Sequence, residues 1–322
     1  MAATVSLMPT RNVVIGLISG LLALPTLGLT GCAADTGEDD DAVVDTDQDL
    51  TSSIVLPAHG TKTVNLRATQ TRDVVLTVDC HPPANPDDVG PVVQVTAPTL
   101  GVSASGEAPA GLFQKAGSIP AGTHSITLAN EGAATSCTLR TVPVPAAATC
   151  RAWTAWRSAN ADHTHYPVGS EGAAAGWEPF PASGNHWGAW APWNRIYDQP
   201  VKTGFLLHNL EHGGLVLSYK CSSADESAAC TSARDSLVEL ANSLGTGRII
   251  VTPDPTQPAM FAVRAWRHAY TSDCLDVQSA ASFAVEHFRR GREDIDADPP
   301  IPFDPTTLNV PCNDLMAAPD SC

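Results

Sequence analysis

Seven short runs between residues 51 and 145 set the tightest limit on this fold. "SSIVLP", "KTVNLRA", "RDVVLTVDC", "PVVQVTAP", "GVSAS", "HSITLAN" and "CTLRTVPV" are rich in Val and Thr and divided by Gly, Pro and Asn. Runs of this length and composition read as strands, and seven in succession predict an all-β sandwich over 51–145. This half holds no Trp and no cluster of catalytic residue types. Its His59, His81 and His124 lie far apart in sequence and read as surface or turn residues. "VPVPAAAT" at 142–149 reads as a linker.

The composition then changes. All seven tryptophans lie beyond residue 150, six of them between Trp153 and Trp193. Residues 161–200 show no clear period and read as an ordered loop region pinned by aromatics, a length that points to function. In "GFLLHNLEHGGLVLSYK" two apolar runs flank a polar motif, which predicts strand, tight turn, strand. "SARDSLVELANSLG" predicts a helix with Leu237, Leu240, Ala241 and Leu244 on one face and Gly245 as its cap. "RIIVTPDP" and "MFAVRAW" predict strands. "DVQSAASFAVEHFRRG" predicts a helix capped by Asp276, with Val277, Ala280, Ala281, Ala284 and Phe288 inward. The expected class is therefore multidomain: a β-sandwich, then an α+β domain over 150–293 and a Pro- and Asp-rich tail over 294–322.

The N-terminal segment reads as an address. Arg11 is the only charge before an apolar run from Val13 to Leu29, which contains Pro25. At about 17 residues it falls short of the roughly 20 that span a bilayer. Residues 1–31 fit a secretory signal. Leu29-Thr30-Gly31-Cys32 resembles the bacterial lipobox, which implies cleavage before Cys32 and acylation of its thiol. A lipid anchor in the cell envelope follows, and Ala33 rather than Asp implies the outer membrane where a cell has two. Residues 32–50 carry eight acids and predict a disordered tether. Its "DTDQD" lacks the glycine and the closing Glu of a calcium loop.

Cysteine usage agrees with export. Besides Cys32 there are eight: Cys80, Cys137, Cys150, Cys221, Cys230, Cys274, Cys312 and Cys322. An even number in an exported chain predicts four disulfides. The expected pairs are Cys80–Cys137 and Cys221–Cys230, with the other four joining the second domain to its tail. The formal net charge of -16, with no basic stripe, argues against nucleic-acid binding. It also gives no attraction to anionic lipid. No nucleotide cofactor is expected.

Seven of ten histidines fall in the second half: His163, His165, His186, His208, His212, His268 and His287. "HTH", "SGNH" and "HNLEH" lie within 50 residues. On a helical turn, positions four apart share a face, so His208 and His212 can reach one ion; on a strand they lie about 13 Å apart and cannot. Apolar residues flank both, and buried imidazoles need partners. The expected metal site is His165, His186, His208 and His212, with Glu211. Imidazoles without nearby thiolate suit copper(II) or zinc. The spacing also fits H-x-x-E-H, a signature of zinc-dependent hydrolases. Trp187, Trp190 and Trp193 recur every three residues, which leaves a third reading, a non-catalytic surface for glycan or peptide. No protein or glycan partner can be named, and no G-x-S-x-G or free nucleophilic Cys points to other catalysis.

"FPASGNHWGAWAPWNRIYDQPVKTGFLLHNLEHGGLVLSYKC" is similar to the core of the bacterial family known as domain of unknown function 3105. That family runs P-P-T-S-G-x-H, then W-G-x-Y, then H-N-L-E-H-G-G before an apolar strand. A later A-W-G-R-like stretch resembles Ala265-Trp266-Arg267. Ala182 stands where the family has Thr, and Asn194-Arg195-Ile196-Tyr197 replaces Gly-x-Tyr; every histidine is spared. The resemblance spans about residues 150–293 and implies no established activity.

Overall fold

A computed structural model describes residues 43–45, 50–80, 91–102, 112–158, 160–223, 225–297 and 304–308. The signal segment, Cys32, His81, Cys312, Cys322 and most of the tether and tail lie outside these.

The first half comprises β1 (Val43–Asp45), β2 (Leu50–Leu56), β3 (Thr61–Ala68), β4 (Arg72–Asp79), β5 (Val93–Thr96), β6 (Leu112–Ile119), β7 (Gly122–Asn130) and β8 (Thr135–Pro143). The second adds β9 (Trp153–Arg157), β10 (His165–Tyr166), α1 (Glu171–Ala174), β11 (His186–Trp187), β12 (Arg195–Ile196) and α2 (Thr203–Glu211). After these come β13 (Leu215–Tyr219), α3 (Ala228–Leu244), β14 (Ile249–Pro253), β15 (Phe261–Ala265), β16 (His268–Ser272) and α4 (Val277–His287). The N-terminal region is mostly β, and the C-terminal part mixes helices and strands.

Alternation builds the first core. Val64 and Leu66 on β3, Val74, Leu76 and Val78 on β4, and Ile126 and Leu128 on β7 point inward while their neighbours are more exposed. A sheet ordered β1-β3-β7-β5 and strands β2, β8, β4 and β6 contribute to one apolar cluster. Cys80 and Cys137 are bonded within it. The tether is not featureless along its length: β1 pairs in parallel with β3 through the Val43-Val44 step, the β-branched pair among its acids.

The second sheet has ten strands, ordered β12-β14-β13-β15-β16-β9-β6-β4-β8-β2. It runs without a break from one half of the chain to the other. The join is the antiparallel pair β6–β9, with Phe113 opposite Trp156 and Lys115 opposite Thr154. Lys115 Nζ donates to Thr154 Oγ1 at 2.9 Å. Trp156, Phe180, Ala182, Ala262 and Ala269 pack into the first core, so the halves share apolar surface.

At the far end, α3 crosses between the parallel strands β13 and β14. These two strands are buried on both faces and read as unbroken apolar runs. Leu215, Leu217, Ile249 and Val251 meet Leu237 and Leu240 of α3 and Ala280, Phe283 and Ala284 of α4. Val216 and Ile250 meet Phe205, Leu206 and Leu210 of α2 and the rings of Trp187 and Trp193. Ser227 caps α3, and Gly245 ends it with φ of 61°. The Asp276 carboxylate caps α4 by accepting from Ser279 N.

Four expectations change. The run before the histidine motif is the helix α2, not a strand. Residues 204–211 are buried all round, so no apolar stripe marks its period. Val277 is exposed, because Phe283 and His287 complete the inner face of α4 with Ala280 and Ala284. Cys150 bonds Cys274 instead of the tail, while Cys221–Cys230 forms as expected. The final strand β16, like β6 and β9, has no counterpart among the sequence-predicted strands.

Candidate metal centre

Two elements from distant parts of the chain meet here. The first is the pair β10–β11, two residues each, whose parallel register sets His165 beside His186. The second is the end of α2. His208 and Glu211 lie on its last turn and His212 caps it, one turn beyond His208 on the same face. The chain then turns away at Gly213, with φ of 78°, a conformation that glycine adopts without strain.

The side chains converge. Glu211 Oε2 lies 3.0 Å from His165 Nε2 and 3.0 Å from His186 Nε2. His208 Nε2 lies 3.0 Å from His212 Nε2, which is 3.1 Å from Glu293 Oε2. The ring centres of His186 and His208 are 4.9 Å apart, and His165 stacks on His208 at 4.6 Å. One ligand atom each from His165, His186, His208 and Glu211 falls within a 4.8 Å span. A second such group is His208, His212 and Glu293. Four of the expected ligands thus share one point, and His212 belongs to the neighbouring group.

Hydrogen bonds at the far side of the rings fix their chemistry. His186 Nδ1 lies 2.8 Å from the Gly184 carbonyl and His208 Nδ1 lies 2.8 Å from the Trp187 carbonyl. A carbonyl only accepts, so each Nδ1 carries the proton. In the neutral ring Nε2 then presents a lone pair to the centre. For His186 that lone pair faces a carboxylate oxygen, and for His208 it faces another imidazole nitrogen. The His186 contact, a lone pair against a carboxylate oxygen at 3.0 Å, repels unless a proton or a metal ion bridges it, whereas His208 Nε2 can accept from a protonated His212 Nε2. A backbone carbonyl behind the ring is also the usual support of a metal-ligating histidine.

Burial and neighbouring charge set these groups in different directions. Burial, reinforced by the neighbouring imidazoles of His186, His212 and His165, drives His208 down to about 2. Burial also lowers His212, against the pull of Glu293 and Glu211. Burial pushes Glu211 upward, but the neighbouring imidazoles of His165 and His186 outweigh it and hold the carboxyl well below its usual range. The half-exposed His165 is raised, chiefly by its hydrogen bond to Glu211. Glu211 Oε1 is buried with no hydrogen-bond partner among the described residues, and Arg292 Nη1 stands 3.9 Å from it.

A strap after α4 closes the centre. Arg289 N donates to Gly213 O, and Glu293 N donates to Glu211 O. Arg248 Nη1 bonds both His212 O and Asp294 Oδ1 at 2.7 Å. Trp190 and Trp193 both donate their indole N–H to Ala297 O. The tryptophans therefore do not form an open platform. Trp187 and Trp193 are buried, and Trp190 wedges against His208 and His212 at 5.0 and 4.5 Å. Glu293 is the ligand-type residue that sequence reasoning missed; its only sequence sign is the neighbouring Gly291. His163 stays outside, its Nδ1 near Ala161 O. His268 and His287 stack on each other elsewhere, 4.0 Å apart.

The helix also bears on the hydrolase reading. H-x-x-E-H sits on a helix after all, yet Glu211 is enclosed and engaged by His165 and His186. Its carboxylate is therefore not free to act as a general base.

The family model described as "Protein of unknown function (DUF3105)" matches residues 176–298. Residues 176–298 form a DUF3105 domain. The match takes in His186, His208, Glu211, His212 and Glu293, and begins after His165. No curated protein matches the chain. Among solved structures, the chain is similar to the pre-peptidase C-terminal domain of collagenase from Bacillus anthracis. That likeness has 8% identity and a TM-score of 0.24, covering 34% of this chain and 100% of that one. It is also similar to PliG from Aeromonas hydrophila, a periplasmic inhibitor of g-type lysozyme. There the identity is 18% and the TM-score 0.20, covering 31% of this chain and 94% of that one. Scores this low carry no argument about function.

Proposed function

We propose that the DUF3105 domain, together with His165 just before it, binds a first-row transition ion, copper(II) or zinc, through His165, His186, His208 and Glu211. The carrying observation is the pair of rings whose Nδ1 protons are tied to Gly184 O and Trp187 O, leaving Nε2 of His186 aimed at Glu211 and Nε2 of His208 at His212, within one cluster of ligand atoms. The donors are nitrogen and oxygen alone, and the nearest cysteines in sequence are bonded to one another, which suits these ions and not copper(I). His165, with its side chain 42% exposed, gives the ion a route in. The three disulfides fit an oxidising compartment outside the cytoplasm. The lipobox-like Leu29–Cys32 supports a membrane-anchored domain in the cell envelope.

The test is elemental analysis of full-length protein exported and purified without chelator. Wild type is expected to carry a stoichiometric ion, and His186→Ala to carry less with its disulfides intact. Wild-type protein that neither carries nor takes up copper or zinc refutes the proposal.

A further inference from the structure

The side chains at the centre exceed what one ion can use. A tetrahedral ion with ligands at about 2.0–2.2 Å holds them roughly 3.3 Å from each other. His165, His186, His208 and Glu211 already fill four positions. His212 and Glu293 would be left beside them, and His212 is 1% exposed. Its Nδ1 has no hydrogen-bond partner among the described residues, and its Nε2 stands between His208 Nε2 and Glu293 Oε2. A buried imidazole in that position is costly without a further partner.

Sharing the ligands differently removes the excess. Two triads result, each of two imidazoles and one carboxylate. In the first, Glu211 Oε2 stands 3.0 Å from both His165 and His186. In the second, His212 Nε2 stands 3.0 Å from His208 and 3.1 Å from Glu293. His165 stacked on His208, with ring centres 4.6 Å apart, brings the triads into contact. The second triad draws its acid from the strap, so an ion there ties the strap to α2.

We propose that the centre holds two divalent transition ions, one on His165, His186 and Glu211 and the other on His208, His212 and Glu293. Each ion keeps an open position. This inference rests on the metal-binding reading above, adds a second ion to it and moves His208 from the first ion to the second.

Full-length protein loaded with zinc(II) and desalted tests it by ions per chain. Wild type should retain two, and Glu293→Gln and His212→Gln should each retain one. Titration of wild type with zinc should show two equivalents. Loaded with copper(II), wild type should give less paramagnetic resonance intensity per copper than Glu293→Gln, because paired ions couple. One ion in wild type, kept in both variants, overturns the second ion and leaves the first proposal standing. No ion in wild type overturns both. Wild-type zinc titration decides even if a variant fails to fold: a single equivalent refutes the pair.

Discussion

Gly291→Ala tests how the strap reaches the centre. A Cβ at this position would lie 2.1 Å from Glu211 O and 2.2 Å from Gly213 N. Ordinary Cβ contacts begin near 3.4 Å, and both obstacles are backbone, so the strap must lift by more than 1 Å. Lifting breaks Glu293 N→Glu211 O and Arg289 N→Gly213 O, each worth about 1 kcal/mol. Adding partial loss of the Glu293–His212 contact gives about 2–3 kcal/mol, or roughly 5–10 °C in melting temperature. Gly247→Ala is the control, because a Cβ there meets nothing within 4 Å; it should change stability by less than about 0.5 kcal/mol. Urea unfolding of both variants, beside trypsin digestion at Arg289, Arg290 and Arg292, reads the effect. Equal stability and equal cleavage for the two variants would show that the close approach does not exist.

Other outcomes follow from groups away from the centre. Asp276 accepts from Ser279 N and Thr149 N, and these bonds outweigh burial to depress its pKa. A depressed carboxyl stabilises the fold above its unfolded pKa of about 3.9 and loses that contribution as pH falls through the folded value. Asp276→Ala should cost about 1–2 kcal/mol at pH 7 in urea unfolding and less at pH 3; an equal cost at both would reject the cap. His287 is lowered to about 4, first by burial and then by Arg290 and Arg157, and it stacks on the similarly lowered His268. Its neutral form is favoured in the fold, so its contribution is whole above pH 6.5 and is lost as pH falls toward 4, by about 3 kcal/mol. Chelated His287→Leu should show a flatter stability profile between pH 7 and 4.5 than chelated wild type; parallel profiles would contradict this. Cys150 and Cys274 enclose 124 residues of sequence separation, and replacing both with Ala should lower stability by about 2–5 kcal/mol in thermal unfolding. A change below about 1 kcal/mol would mean the bond is not formed.

The β-rich half is legible in sequence because strands buried on one face alternate, as β3, β4 and β7 do. β6 escapes because Lys115 and Gly117 interrupt its Val/Thr character, and with it goes the join to β9. α2 reads as a strand because every face is buried, which erases the helical period. The ligand types of the centre are visible as an excess of histidine. Their partition is not, since it depends on a two-residue parallel bridge and on where a strap docks. The strap is placed by Arg248 and by the absent side chain of Gly291, contacts between segments far apart in sequence.

X-ray absorption of the copper- or zinc-loaded full-length protein reads the ligand atoms themselves. Nitrogen and oxygen neighbours alone are expected at about 2.0–2.2 Å with the outer-shell pattern of imidazole, weakened in His186→Ala. A sulfur neighbour near 2.3 Å, or a spectrum without imidazole, would contradict the proposed metal site.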